Sequence, residues 1–171
     1  MIAAILILGL VTAQRLAELV IARRNSRDLL ASGAYEVGAF HYPMIVGTHV
    51  LWLAALWWLA PGRAIVWPLV GVYALLQAAR IWVLLTLGSR WTTRIIIVPG
   101  EPLVKRGPFR FIRHPNYVVV VGEIAVLPLA FGLVPVALFF SLLNAVVLAI
   151  RIRAEGRALA PLRTSLRADG V

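Results

Sequence analysis

Long apolar runs separated by short charged or proline-broken segments dominate the pattern of this chain. Three of them, Ile2 to Ala22, Pro43 to Ala60 and Ala64 to Gly88, approach the roughly 20 helical residues that cross a hydrocarbon layer of about 30 Å. A fourth apolar region, Tyr117 to Ile150, is punctuated by Pro128, Gly132 and Pro135. As one kinked helix it would be about 51 Å long, whereas as a hairpin each arm would have about 16 residues, roughly 24 Å, which is short for a crossing.

Charge separates the two arrangements. Arg23, Arg24 and Arg27 follow the first run. Arg90, Arg94, Lys105, Arg106, Arg110 and Arg113 follow the third, and Arg151, Arg153, Arg157, Arg163 and Arg167 follow the fourth region. Only Arg63 lies in the remaining loop. Under the positive-inside bias the N-terminus and the turn at Pro61-Gly62 are outside, while segments 23–40 and 89–116 and the C-terminus are inside. A hairpin turning at Phe131 to Val134 satisfies this, and a single helix would export the C-terminal arginines. The expected fold is therefore an all-α integral membrane protein of about five transmembrane helices. The last two form a short hairpin, and the tail 151–160 extends as a cytoplasmic helix ahead of Pro161.

Composition agrees with membrane burial. Apolar residues make up 61% of the chain and its mean hydropathy is +0.90, above the usual range of a soluble domain. The formal charge of +10 sits at the ends of apolar runs, so membrane lipids and not nucleic acid are the expected partners. The first run has no basic start and ends in Ala22-Arg-Arg, which reads as a retained span and not a cleaved leader. The chain contains no cysteine, hence no disulfide or thiolate metal site. His41 and His49 lack acidic companions at ligand spacing, so they read as interfacial or packed histidines and no metal is expected. Glycine-rich dinucleotide and phosphate loops are absent.

Local signals refine the connections. Asn25-Ser26 and the residues up to Gly33 fit a short, separately capped interfacial helix. Ile95 to Val98, ending at Pro99-Gly100, fits an extended connector. Inside the spans, Arg15, Glu18, Gln77, Arg80 and Glu123 need polar partners, because isolated charges in lipid cost several kcal/mol. Arg15 and Glu18 are three apart and can pair, and Arg80 is expected to pair with Glu123.

Two constellations carry candidate chemistry. The first is Gly107-Pro-Phe-Arg-Phe-Ile-Arg-His-Pro-Asn-Tyr117. Pro115 disfavours the α region at His114. With Arg110, Arg113 and the helix start near Asn116, the segment combines positive charge with free backbone N–H groups, which suits an anion. The alternative is a basic juxtamembrane anchor with Tyr117 in the aromatic belt. The second is Arg151-Ile-Arg-Ala-Glu155, whose ends share one helical face. Either the two side chains act together at a site, or they form a solvated helix pair. A hairpin would bring them close to His114.

Together these motifs resemble the isoprenylcysteine carboxyl methyltransferase family over roughly residues 70 to 160, most specifically in Arg113-His-Pro-Asn-Tyr117. The N-terminal part looks like bacterial members, some of which methylate long-chain phenols or pyrones. The resemblance implies a single membrane methyltransferase domain, 1–171, in the bacterial inner membrane, with N-terminal spans at 1–63 and a cofactor-binding catalytic core at 64–160. It implies S-adenosyl-L-methionine as cofactor, enclosed on the cytoplasmic side by Glu101, Pro102, Leu103, Val104, Phe109, His114, Pro115, Asn116, Tyr117 and Glu155. His114 and Arg151 would be catalytic, with Arg151 toward a lipophilic or prenylated substrate arriving from the bilayer. Two positions depart from the family pattern: Gly156 stands where a second glutamate is common, and Phe109 where tyrosine is frequent. The acceptor would be a carboxylate or a long-chain phenol or pyrone hydroxyl. A phospholipid N-methyltransferase and a non-enzymatic scaffold for anionic lipid are the alternatives.

Overall fold

The structure, a computed structural model, describes residues 1–102 and 104–168, with side chains at all of these except 41 and 158–168. Five α-helices carry the chain: α1 (Ile2–Ala31), α2 (Tyr42–Leu59), α3 (Trp67–Leu87), α4 (Pro115–Ala130) and α5 (Val134–Ala168). Four of them, α1, α2, α3 and α5, are long and apolar enough to cross a membrane, whereas α4 has 16 residues and rises only about 24 Å. Leu10, Leu75, Leu85 and Leu142 lie exposed on their outer faces, an apolar surface that needs lipid around it.

Three elements differ from the sequence expectation. Residues 25–31 are not a separate capped helix but the last turns of α1. The Asn25 side chain donates to the carbonyls of Gly88 (3.2 Å) and Trp91 (2.8 Å), so it is not available to cap a helix start. The fold is not purely helical either: β1 (Tyr35–Val37) and β2 (Ile95–Ile97) form a two-stranded antiparallel ribbon, with Glu36 opposite Ile96. Finally, α5 does not stop ahead of Pro161: the expected extension over 151–160 is helical and continuous with the span, and the helix runs on to Ala168, its 35 residues rising about 52 Å.

The α4 boundaries follow local chemistry. Pro115 occupies the first turn, where its missing N–H is harmless. At the other end Gly132 takes φ +67°, and the N–H groups of Gly132 and Leu133 close back on Leu129 and Pro128 at 2.9 Å each. After this turn α5 begins, and Arg151 on α5 meets Tyr117 on α4. The main core gathers Leu8 and Val11 of α1, Trp52 and Leu56 of α2, Tyr73 of α3, Ile124 and Leu127 of α4, and Phe131 with Phe140. Within it the Trp52 indole donates to the Ile124 carbonyl at 3.2 Å.

Across this apolar core runs a charged knot. Arg80 pairs with Glu123 as expected, through Nε at 2.8 Å and through a second contact from Nη2. Arg15 pairs with Glu18 at 2.8 Å, again as expected, and also with Glu123 at 2.9 Å. Gln77 donates to Glu123 at 2.7 Å, while Gln14 donates to Gln77 at 2.6 Å and to Glu18 at 2.9 Å. Two arginines and two glutamates thus cancel, and α1, α3 and α4 are locked at one level.

Removing one charge leaves the others uncompensated, which costs about 3–5 kcal/mol at a buried pair. Arg80→Leu should therefore lower the thermal stability of the detergent-solubilised protein sharply. Adding Glu123→Leu should restore most of the loss, because the remaining Arg15–Glu18 pair is neutral. An unchanged or further lowered melting temperature in the double variant would contradict the pairing.

Candidate active site

The segment between α3 and α4 folds over one end of the bundle. A turn at 88–90 leads into β2, and a second turn at Gly107–Arg110 leads to the start of α4. Gly107 has φ +57°, and a Cβ there would lie 2.5 Å from Thr86 Oγ1, so only glycine lets this turn sit so close to α3. Arg94 anchors the ribbon by donating to Glu36 at 2.7 Å and lying 4.7 Å over the Tyr42 ring. The hydrogen bond to Glu36 raises its pKa, reinforcing a charge that is permanent in any case.

Beneath this cover is a cavity of about 510 Å³. Its walls are β2, the 109–113 stretch, the first turn of α4, and Arg151 with Glu155 from α5. Basic side chains dominate its rim: Arg90, Arg94, Lys105, Arg110 and Arg113. At its inner end, Arg151 Nε donates to the Tyr117 hydroxyl at 2.9 Å, and that hydroxyl donates to Glu155. His114 stacks on the Tyr117 ring with centroids 5.1 Å apart, and its Nδ1 lies 3.7 Å from Glu155. Arg151 and Glu155 are therefore joined through the Tyr117 hydroxyl.

A second cavity, about 220 Å³, lies deeper between α1, α2, α4 and α5. Leu16, Leu19, Ile45, Val46, Leu53, Val147 and Leu148 give it apolar walls, and Arg15, Glu18 and Arg80 of the charged knot reach its lining. Leu16 and Val50 line it while being 58% and 59% exposed, so it reaches the lipid-facing surface between α1 and α2. Trp91, Thr92, Asn116, Tyr117 and Arg151 belong to both cavities and form the partition between them. Asn116 Oδ1 is buried in that partition with no hydrogen-bond partner among the described residues.

Of the residues singled out from sequence, Val104, Phe109, His114, Pro115, Asn116, Tyr117, Arg151 and Glu155 line the larger cavity together. Glu101 and Pro102 do not line it. Arg90 holds both to one side, at 3.3 Å from the Glu101 carboxylate and 3.1 Å from the Pro102 carbonyl. Leu103 lies outside the described residues. At Gly156 a Cβ would meet nothing within 4 Å, so the missing glutamate leaves open space. Sequence reasoning missed the β2 wall and the Trp91–Thr92 partition, which no motif marks. It also treated Tyr117 as one contact among several, although its hydroxyl joins the guanidinium to the carboxylate.

A profile of the isoprenylcysteine carboxyl methyltransferase family matches residues 69–161, which contain most of α3, all of α4, the larger cavity and most of α5. The chain belongs to this family. It is a methyltransferase of an integral membrane type, with four helices of spanning length. It is also 38% identical over 167 residues to a Bacillus subtilis (strain 168) protein named YpbQ and described as uncharacterized, covering 90% of this chain and 95% of that one. No solved structure matches it.

In this family member Tyr117→Phe keeps the ring on His114 and removes only the hydroxyl between Arg151 and Glu155. Loss of alignment at a reacting centre is worth on the order of 100-fold. The variant should remain folded and lose methyl transfer on about that scale, measured with methyl-labelled cofactor and an extracted lipid acceptor. Activity within about twofold of wild type would show that the hydroxyl does not organise the site.

Proposed function

We propose that the protein transfers a methyl group from S-adenosyl-L-methionine to an oxygen of a lipid-tailed acceptor, with the cofactor in the larger cavity and the acceptor in the deeper one. The observation that supports this most is the partition. Tyr117, Asn116 and Arg151 face a polar, basic cavity on one side and an apolar, laterally open one on the other. A methyl group has to pass between a polar donor and a greasy acceptor, and both would touch the same three side chains.

The larger cavity suits the cofactor chemically. Its volume lies in the ordinary range for small-molecule sites. Lys105, Arg110 and Arg113 offer cations to a carboxylate, and Phe109 and Trp91 offer ring surface to an adenine. The orphaned Asn116 Oδ1 and the Glu155 carboxylate offer acceptors to an ammonium or ribose hydroxyl. Bound there, S-adenosyl-L-methionine supplies an electrophilic methyl group on a sulfonium.

The chain's own part is alignment and exclusion of water, which together can account for most of the acceleration of an in-line displacement. Arg151, fixed by Tyr117, holds the acceptor oxygen in line. A carboxylate acceptor needs nothing more. A phenol or enol must give up a proton, and His114 or Glu155, on the larger-cavity side of the partition beside the Tyr117 hydroxyl, would have to take it. An amine acceptor, as in a phospholipid N-methyltransferase, would find no use for Arg151. In this reading the arginine-rich side is cytoplasmic, the N-terminus is outside, and the protein sits in a bacterial inner membrane. Residues 64–160 form the catalytic core, and 1–63 wall the acceptor's cavity.

Incubating the purified protein with methyl-labelled cofactor and a total lipid extract should label a lipid oxygen. Arg151→Leu should reduce that labelling by about 100-fold or more. A rate that is flat above pH 6 identifies a carboxylate acceptor, and a rate climbing through neutrality identifies a hydroxyl. Absence of saturable binding of S-adenosylhomocysteine, together with unchanged behaviour of His114→Ala, would leave only a lipid-binding scaffold.

A further inference from the structure

His49 lies on α2 in the wall of the deeper cavity, apart from the partition residues. Its Nδ1 is 2.8 Å from the Ile45 carbonyl, one turn back on the same helix. A carbonyl can only accept, so Nδ1 carries the proton, and in the neutral ring Nε2 is left with a lone pair. With Nδ1 turned back onto the α2 backbone, Nε2 is the nitrogen that leads away from the helix. No hydrogen bond engages Nε2 among the described residues. The wall of an otherwise apolar chamber thus presents a fixed acceptor.

The surroundings decide what that acceptor suits. The charged groups on the lining are Arg15, Glu18 and Arg80 at one level and Arg151 at the partition. Arg15 and Arg80 are already committed to Glu18 and Glu123, so the deep level is neutral overall and does not call for an anion. A neutral donor such as a hydroxyl fits a neutral imidazole lone pair; a carboxylate has no proton to give.

Depth follows from helix register. The Trp52 indole bonds to the Ile124 carbonyl, which sets α2 level with α4. His49 is three residues before Trp52 and Tyr117 is seven before Ile124, so His49 lies about 6 Å deeper than Tyr117. That axial offset is comparable to the width of a six-membered ring, the size of head group that would set one oxygen near Arg151 and another near His49.

We propose that His49 is a specificity-determining residue whose Nε2 accepts a hydrogen bond from a hydroxyl of the acceptor. The acceptor then carries a ring hydroxyl in addition to the oxygen that receives the methyl group. This deepens, and rests on, the assignment of the deeper cavity to the acceptor.

The test is binding of two probes to the full-length protein in detergent with S-adenosylhomocysteine present: a pentadecylresorcinol, with two ring hydroxyls, and a pentadecylphenol, with one. Wild type should bind the resorcinol about tenfold more tightly, the scale of one good neutral hydrogen bond. His49→Phe should bring the two affinities to within about twofold and leave S-adenosylhomocysteine binding unchanged. His49→Gln, whose amide oxygen can accept in the same region, should keep most of the preference. Equal binding of the two probes by wild type overturns the proposal without any variant, and so does a tenfold preference retained in His49→Phe. If wild type fails to bind S-adenosylhomocysteine at all, it is the assignment of the cavities that falls.

Discussion

A closed set of buried charges holds this bundle together. Arg15 and Glu18 on α1, Arg80 on α3 and Glu123 on α4 cannot face lipid singly, so each must find its opposite inside the protein. Only one relative height of the three helices lets all four meet, with Gln14 and Gln77 bridging Glu18 to Glu123. A purely apolar interface could slide by a turn at small cost. This one cannot, and the same side chains that fix the register also reach the lining of the deeper cavity and keep that level neutral.

Fixed helix heights bring two environments to one wall. The Tyr117 hydroxyl stands between the Arg151 guanidinium and the Glu155 carboxylate, so the orientation of the guanidinium is set before any ligand arrives. Preorganised charge of this kind is the main resource a protein has for a displacement reaction. On the proposed reading, the basic rim above and the lipid-facing opening below would give separate routes to a water-soluble donor and a membrane-borne acceptor. The family to which the chain belongs supplies the reaction type, and the two cavities supply a physical reason for placing it at this wall.

Much of this was legible in the sequence because membrane physics narrows the choices. Apolar run lengths marked α1, α2 and α3, and the cost of unpaired charge in lipid led to the Arg80–Glu123 pair. The Arg113-His-Pro-Asn-Tyr117 motif led to the larger cavity. Other features depend on tertiary contacts that leave no local trace. Asn25 looks like a cap, yet it is taken by Gly88 and Trp91, so α1 does not break. Tyr35 to Val37 is too short to announce a strand until Ile95 to Ile97 lies beside it. Arg15 satisfies a local pairing rule with Glu18, which concealed its second bond to Glu123 on another helix. His49 carried no motif, and its meaning appears only once the Ile45 carbonyl fixes its proton and a cavity lies in front of it.

The most direct test is an experimental structure of the protein in a lipid nanodisc with S-adenosylhomocysteine bound. The account predicts the nucleoside between β2 and the Phe109–Arg113 stretch, with its sulfur facing Tyr117 and Asn116, and a lipid chain or empty apolar space beyond Arg151 toward Leu16 and Leu53. A nucleoside on the Leu16–Leu53 side, or outside both cavities, would contradict it.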